Sequence, residues 1–161
     1  PQEFGIGIAL KMLWGKDDPA GEDIYPRVFE AYIDGNNWIA VNWFPFIKYQ
    51  YAAYAAIALA GVIKGAYLPV VPFSAGDIIG FYLERQADKF RLAGKFAGGE
   101  IIYTNWTADD RTLPEFTNIY IGSDSNSRNT INAVLADFTL HDSGDIDPEG
   151  YLAKVPGGGG E

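Results

Sequence analysis

The chain has no cysteine, a single histidine and few basic residues. Without Cys there is no disulfide framework and no thiolate metal site. His141 alone cannot hold zinc, which needs several His or Cys ligands. The nearest thing to a long apolar run, "YAAYAAIALAGVI" (Tyr51–Ile63), is mostly Ala. It falls short of the ~18 residues that a membrane helix needs, so no membrane span is expected. Lys and Arg number 12 against 21 Asp and Glu, for a net charge of −9. No basic cluster occurs, and an acidic chain is repelled by phosphate backbones, so nucleic acid is not expected as a partner. The chain starts at Pro1, with no initiator Met and no signal peptide, as expected of a processed chain or a piece of a longer one.

What is present suits one domain with its own core: 161 residues, 48% of them hydrophobic and 20% charged. Aromatic residues at 15% and 19 glycines favour strands and tight turns. Rings fit pleated surfaces, and Gly permits positive φ. Strand signals recur at short spacing with turn residues between them. Phe4–Leu13 alternates, and Gly15–Asp23 is a loop rich in breakers. Arg27–Asp34 places Phe29, Ala31 and Ile33 on one face and Glu30, Tyr32 and Asp34 on the other. "DGNN" (Asp34–Asn37) is a hairpin turn. Trp38–Phe44 then returns with Ile39, Val41 and Trp43 on one face and Trp38 opposite Tyr32. Ala content favours helix over Tyr49–Ile63, but its neighbours are strands and Ile57 and Leu59 alternate with Ala, so it reads as strand. Gly76–Trp106 reads as successive antiparallel strands, with Ile79, Phe81 and Leu83 in one inward row, Phe90 and Leu92 in another, and a turn at Gln86–Asp88. Asn118–Gly122 and Asn132–Asp142 close the domain. In the last strand Val134, Ala136, Phe138 and Leu140 share a face, opposite Asp137, Thr139 and His141.

This pattern predicts an all-β protein, an antiparallel two-sheet β-sandwich over residues 1–143. Its core is expected to hold Phe29, Ile33, Ile39, Val41, Phe81, Leu83, Phe138 and Leu140. Residues 144–161, ending in "VPGGGGE", read as an acidic, Gly-rich exit segment or linker outside that core.

Two stretches carry a resemblance. "PFSAGDIIGFYLERQADKFRLAGKF" (Pro72–Phe96) resembles a central strand pair of the concanavalin A-like jelly roll. That is the fold of legume lectins, laminin G-like domains and many β-glucanases. "NIYIGSDSNSRNTINAVLADFTLHDSG" (Asn118–Gly144) resembles that superfamily's closing element, in which a polar loop leads into a last strand. The resemblance implies that this last strand pairs near the start of the domain. It implies no activity, because the fold hosts lectins, enzymes and structural modules alike.

The chemistry that the sequence supports is sparse. The E-x-D-x-x-E strand of retaining glycanases is absent. Asp137 stands alone with Thr139 and His141, and His141 reads as an exposed side chain. Asp145 and Asp147 lie in a Gly- and Pro-flanked tail, without the rigid support that splits the pKa values of a catalytic pair. No catalytic residue is assigned. Calcium binds many lectins and laminin G-like modules through loop Asp and Asn. "DSNSRN" (Asp124–Asn129) has oxygen ligands at alternate positions, but it lacks the glycine and final glutamate of a calcium loop, and Arg128 repels cations. The only cofactor expectation is a weak Ca2+ site at Asp124, Asn126 and Asp142; otherwise Ser123–Thr130 is a solvent-exposed connection. Sugars stack on aromatic rings beside amide and carboxylate groups. The glycan-binding candidates are therefore Tyr32, Trp38 and Asn42 in one group and Asn105 and Trp106 in another. The alternative for each aromatic is to cover a sheet face or an oligomer contact. "NWT" (Asn105–Thr107) also matches a glycosylation sequon.

Two readings remain. The first is a non-catalytic module on an extracellular or virion surface, acting in adhesion to glycans or in assembly with copies of itself. The second is a glycan-active enzyme of the same fold, a glycoside hydrolase or polysaccharide lyase.

Overall fold

The computed structural model describes residues 2–13, 27–43, 51–69, 73–123, 125–126 and 133–156. The loop expected at Gly15–Asp23 lies outside them. Among the described residues, eleven strands and one helix follow in order: β1 (Phe4–Met12), β2 (Arg27–Asp34), β3 (Asn37–Trp43), β4 (Tyr51–Leu59), β5 (Val62–Pro69), β6 (Ile78–Arg85), β7 (Lys89–Phe96), β8 (Ile101–Tyr103), β9 (Thr107–Ala108), β10 (Asn118–Ile121), β11 (Ala133–Asp142) and α1 (Pro148–Ala153). They form two antiparallel sheets. The first has the order β11-β1-β6-β7-β8, with β9 also on β7, and the second has the order β10-β2-β3-β4-β5. The protein is a β-sandwich.

The core lies between the sheets because each strand buries alternate residues. Ile6, Ile8 and Leu10 of β1 face Phe29, Ile39 and Val41 of the second sheet, and Phe81, Leu83, Phe90 and Leu92 fill the space beside them. All ten are 4% exposed or less. The region from Tyr51 is strand, as expected, although it forms the hairpin β4–β5. Ala60 and Gly61 turn it with φ of 50° and 77°, the paired positive values of a tight hairpin turn. The β2–β3 turn holds it: the Asn37 side-chain oxygen accepts from Ala60 N at 3.1 Å, and Asn36 O accepts from Gly61 N at 3.0 Å. Tyr32 pairs with Trp38, and β6 turns into β7 at Gln86–Asp88. The last strand pairs with the first along its length, Phe4 with Asp142 through Met12 with Ala133.

Three expected core positions differ. Ile33 and Phe138 are half-buried, with Phe138 edge-on to Phe29 at 6.4 Å, and Leu140 is 56% exposed. For Phe138 and Leu140 the cause is position, since β11 is an outermost strand; Ile33 falls where the β2–β3 register skips a residue between Tyr32 and Asp34. Leu140 pairs with the buried Ile6, so it points to the inner side, yet it stands at an open margin. The single face expected for Val134 to Leu140 is also broken. The register shifts between Ala9 and Leu10, leaving Ala136 unpaired. Such a bulge reverses the alternation, so Val134 shares the outer face with Lys11 while Phe138 and Leu140 point inward.

At the opposite margin a buried ionic clasp joins the sheets. Arg85 of β6 donates to the Asp109 carboxylate at 2.9 Å. Arg111 donates to the same carboxylate at 2.6 Å and to Val62 O and Ile57 O of the second sheet at 2.6 and 3.2 Å. Residues 143–156 lie outside the inter-sheet core but do not leave the domain surface. They pack α1 on the far face of the first sheet, where Leu152 and Val155 join Ala9, Tyr82 and Ala93 in a second apolar cluster.

Candidate functional site

The outer face of the first sheet carries the most chemistry, and β1 makes room for it. Gly5 and Gly7 alternate with the core residues of β1, so they open a trough between β6 and β11. A Cβ on Gly5 would overlap the Tyr82 hydroxyl, and one on Gly7 would lie 2.6 Å from the Tyr151 ring. Both tyrosines therefore lie across β1. Tyr82 reaches His141 Nδ1 at 2.7 Å and accepts from Asp147 N at 3.3 Å. The Tyr82 hydroxyl thus ties the β11 imidazole to the start of α1, and the imidazole tautomer sets which of Tyr82 and His141 donates.

Asp147 caps α1, with Oδ1 accepting from Gly150 N at 2.9 Å. The capping residue, Pro148 at the first turn and Glu149 behind it explain why a helix starts here. Once α1 is docked, a cavity of about 760 Å³ opens between it and β11. Asp137, Thr139 and His141 line one wall; Asp145, Asp147 and Lys154 line the other; Ala9 and Tyr151 contribute apolar surface. Thr139 donates to Asp137 at 3.1 Å. The Tyr151 hydroxyl is buried without a well-formed hydrogen bond among the described residues. Burial first, and the nearby Asp137 carboxylate second, push its pKa well above the usual tyrosine value. Burial likewise raises Tyr82.

The same face continues away from the cavity. Glu84, only 7% exposed, accepts from Arg91 at 2.8 Å. The Arg91 guanidinium lies 4.3 Å from the Tyr103 ring centre and 4.4 Å from that of Trp106, and Lys89 is 4.9 Å from Trp106. Trp106 is 37% exposed, but these cations already sit against its ring. Asn105 beside it is exposed.

Tyr32, Trp38 and Asn42 share the outer face of the second sheet. The first two are half-buried, with Arg27 5.4 Å from the Trp38 ring. Asn42 is 2% exposed, which leaves the two rings as that group's accessible part. Asp124 and Ser127–Thr130 of the loop lie outside the described residues. Asn126 is exposed, and its neighbour Ser125 donates to Glu30 of the second sheet at 2.6 Å. Asp142 ends β11 in the first sheet, whereas Asn126 lies in the turn after β10, a strand of the second sheet. Among the described residues no group of three or more His, Cys, Asp or Glu is placed to hold a metal ion.

The cleft residues Asp137, His141, Asp145, Asp147, Tyr82 and Tyr151 do not form a motif in sequence. His141 is half-buried and bonded rather than a free exposed side chain. The usable signals were the Asp137/Thr139/His141 row, the Gly5/Gly7 alternation and the Asp147-Pro148 cap.

No protein-family model matches the chain, and no curated protein matches it. Among solved structures, similar chains include a mutant of the GH43 protein BlXynB from Bacillus licheniformis, with TM-score 0.49 and 10% identity over 88% of this chain and 23% of that one. Another is a xylan β-1,4-xylosidase from Bacillus halodurans, with TM-score 0.40 and 8% identity over 90% of this chain and 25% of that one. The chain spans about a quarter of the length of these two proteins. A likeness of this degree carries none of their activity over.

Proposed function

We propose that this is a non-catalytic glycan-binding module of the concanavalin A-like kind, displayed on an extracellular or virion surface, and that its binding site is the cleft between β11 and α1. The observation that carries the reading is the cleft's composition. Exposed carboxylates, a hydroxyl and an imidazole surround tyrosine and alanine surface, the mix that binds sugar hydroxyls and packs on sugar C–H groups. The two walls are set by backbone pairing and a helix cap, so the polar groups are held in place before a ligand arrives. Asp137, Asp145 and Asp147 outnumber Lys154, which disfavours uronic and sulphated sugars and favours neutral ones. The ring-bound cations at Trp106 make that residue a secondary contact at most, reached by displacing Arg91 or Lys89.

A glycan array on the isolated domain, with and without calcium, tests the reading. Binding of neutral glycans, reduced about 10-fold or more by Asp137→Ala, is the expected result. An array with no hits, or hits indifferent to Asp137→Ala and His141→Ala, overturns it. Dependence on calcium would move the site to the loop after β10.

One observation favours the second reading, a glycan-active enzyme: Asp137 and Asp145, apart in sequence, line the same cavity. Two carboxylates flanking a sugar bond are the glycosidase requirement. Release of reducing ends by the wild type, abolished by Asp137→Asn with binding retained, would establish it.

A further inference from the structure

We propose that the open margin between β10 and β11 binds an extended, basic-ended peptide by strand addition, beside the glycan cleft. A groove of about 640 Å³ runs between the two sheets there, floored by Ile6, Ala31, Ile39, Leu113, Phe116 and Ile119. Its lips are the outermost strands of both sheets, whose outer edges pair with no strand among the described residues. Such edges offer rows of backbone N–H and C=O groups to another strand.

These edges lack part of the usual protection. Sheet margins are commonly blunted by Lys or Pro, and neither occurs in "NIYI" or "AVLADFTLHD". The bulge at Ala136 protects the start of β11, but pairing with β1 is regular from Asp137 to Asp142, the stretch beside the groove. Ile119 and Leu140 are 42% and 56% exposed, although both line the groove. A strand laid along Asp137–Asp142 would extend the first sheet and drop every second side chain onto these residues. Its backbone supplies the hydrogen bonds, and its inward apolar side chains cover the groove.

Charge selects the occupant. Glu115 and Asp142 line the groove, and among the described residues no Lys or Arg does. A second copy would bring the same acids and another net charge of −9, so self-pairing is opposed by repulsion. A peptide with alternating apolar residues and Lys at its ends meets both the floor and the rim.

The test uses three labelled synthetic peptides as long as β11 with Val at alternate positions: one with Lys ends, one with Glu ends, and one with Lys ends and a central Pro. Fluorescence anisotropy at low salt should show the Lys-ended peptide binding about 10-fold or more tighter than the Glu-ended one, with the gap narrowing as salt rises. The central Pro should remove binding, because it takes away a ladder donor and distorts the strand. Leu140→Lys and Ile119→Lys should each abolish binding while leaving the melting temperature and glycan-array profile unchanged, since both side chains are substantially exposed. Equal binding of the Pro peptide would show non-specific adsorption and overturn the proposal. So would failure of all three peptides, or a concentration-dependent dimer that Leu140→Lys dissolves, which would make a second copy the occupant.

Discussion

Asp109→Ala should destabilise the domain by about 3 kcal/mol, the low end of the 3–5 kcal/mol expected when a buried ion pair loses one partner. Asp109 and Arg85 are both 0% exposed. Removing the carboxylate leaves the Arg85 guanidinium without its counter-charge. Two carbonyls, Asp109 O at 3.2 Å and Arg111 O at 2.7 Å, still accept from it, which places the estimate at the low end. Arg111 and Lys64, with side chains 22% and 34% exposed, can turn to water, so their loss adds little. Urea denaturation followed by Trp fluorescence is the assay. The midpoint should fall with the slope unchanged. The double variant Arg85→Met/Asp109→Leu should lose less than Asp109→Ala alone, because no buried charge is left over. A loss below about 1 kcal/mol in Asp109→Ala, or a double variant as unstable as the sum of its parts, would refute the reasoning. The pH dependence follows in sign. Burial raises the Asp109 pKa, but hydrogen bonds and charge from Arg111 and Arg85 outweigh it and hold the group below its usual value. The folded pKa lies below the unfolded one, so the stabilisation is complete above about pH 4 and is lost as pH falls through the folded value. Asp109→Ala should lack that acid-side loss.

Phe138→Ala should cost about 2 kcal/mol, less than a fully buried Phe, and Leu140→Ala under about 1 kcal/mol; equal costs in urea titrations would contradict the open margin at β11. Gly5→Ala should cost about 1–3 kcal/mol by driving Tyr82 off β1, and loss of the Tyr82–His141 bond should appear as a shifted His141 imidazole signal by NMR. Tyr82, Tyr103 and Tyr151 all have raised pKa values, burial being the first cause in each. Their contribution is complete below about pH 10 and is lost as pH rises through the folded values. Tyr151→Phe should flatten that alkaline decline in a melting-temperature series, and an unchanged profile would mean that Tyr151 is not buried as described.

The sandwich was legible in the residue pattern. Period-two rows such as Ile79/Phe81/Leu83 have one stable solution, burial against a second sheet. Turn chemistry at Asp34–Asn37 and Gln86–Asp88 set which strands are neighbours. Even the Ala-rich β4 was legible, because its surroundings outweighed helix propensity. Which strands lie at the margins, and what gathers on the outer faces, depended on long-range packing. Leu140 has a core residue's place in the pattern and a surface residue's exposure, since alternation states which way a side chain points and not whether anything stands opposite. The bulge at Ala136 reversed one face for the same reason: pairing with β1, not local pattern, places the extra residue. The cleft was the least visible part. Asp137, His141 and Asp147 meet only because Gly5 and Gly7 let two tyrosines lie across β1 and because α1 docks on Ala9 and Gly80. Those contacts join segments far apart in the chain, and local spacing cannot encode them.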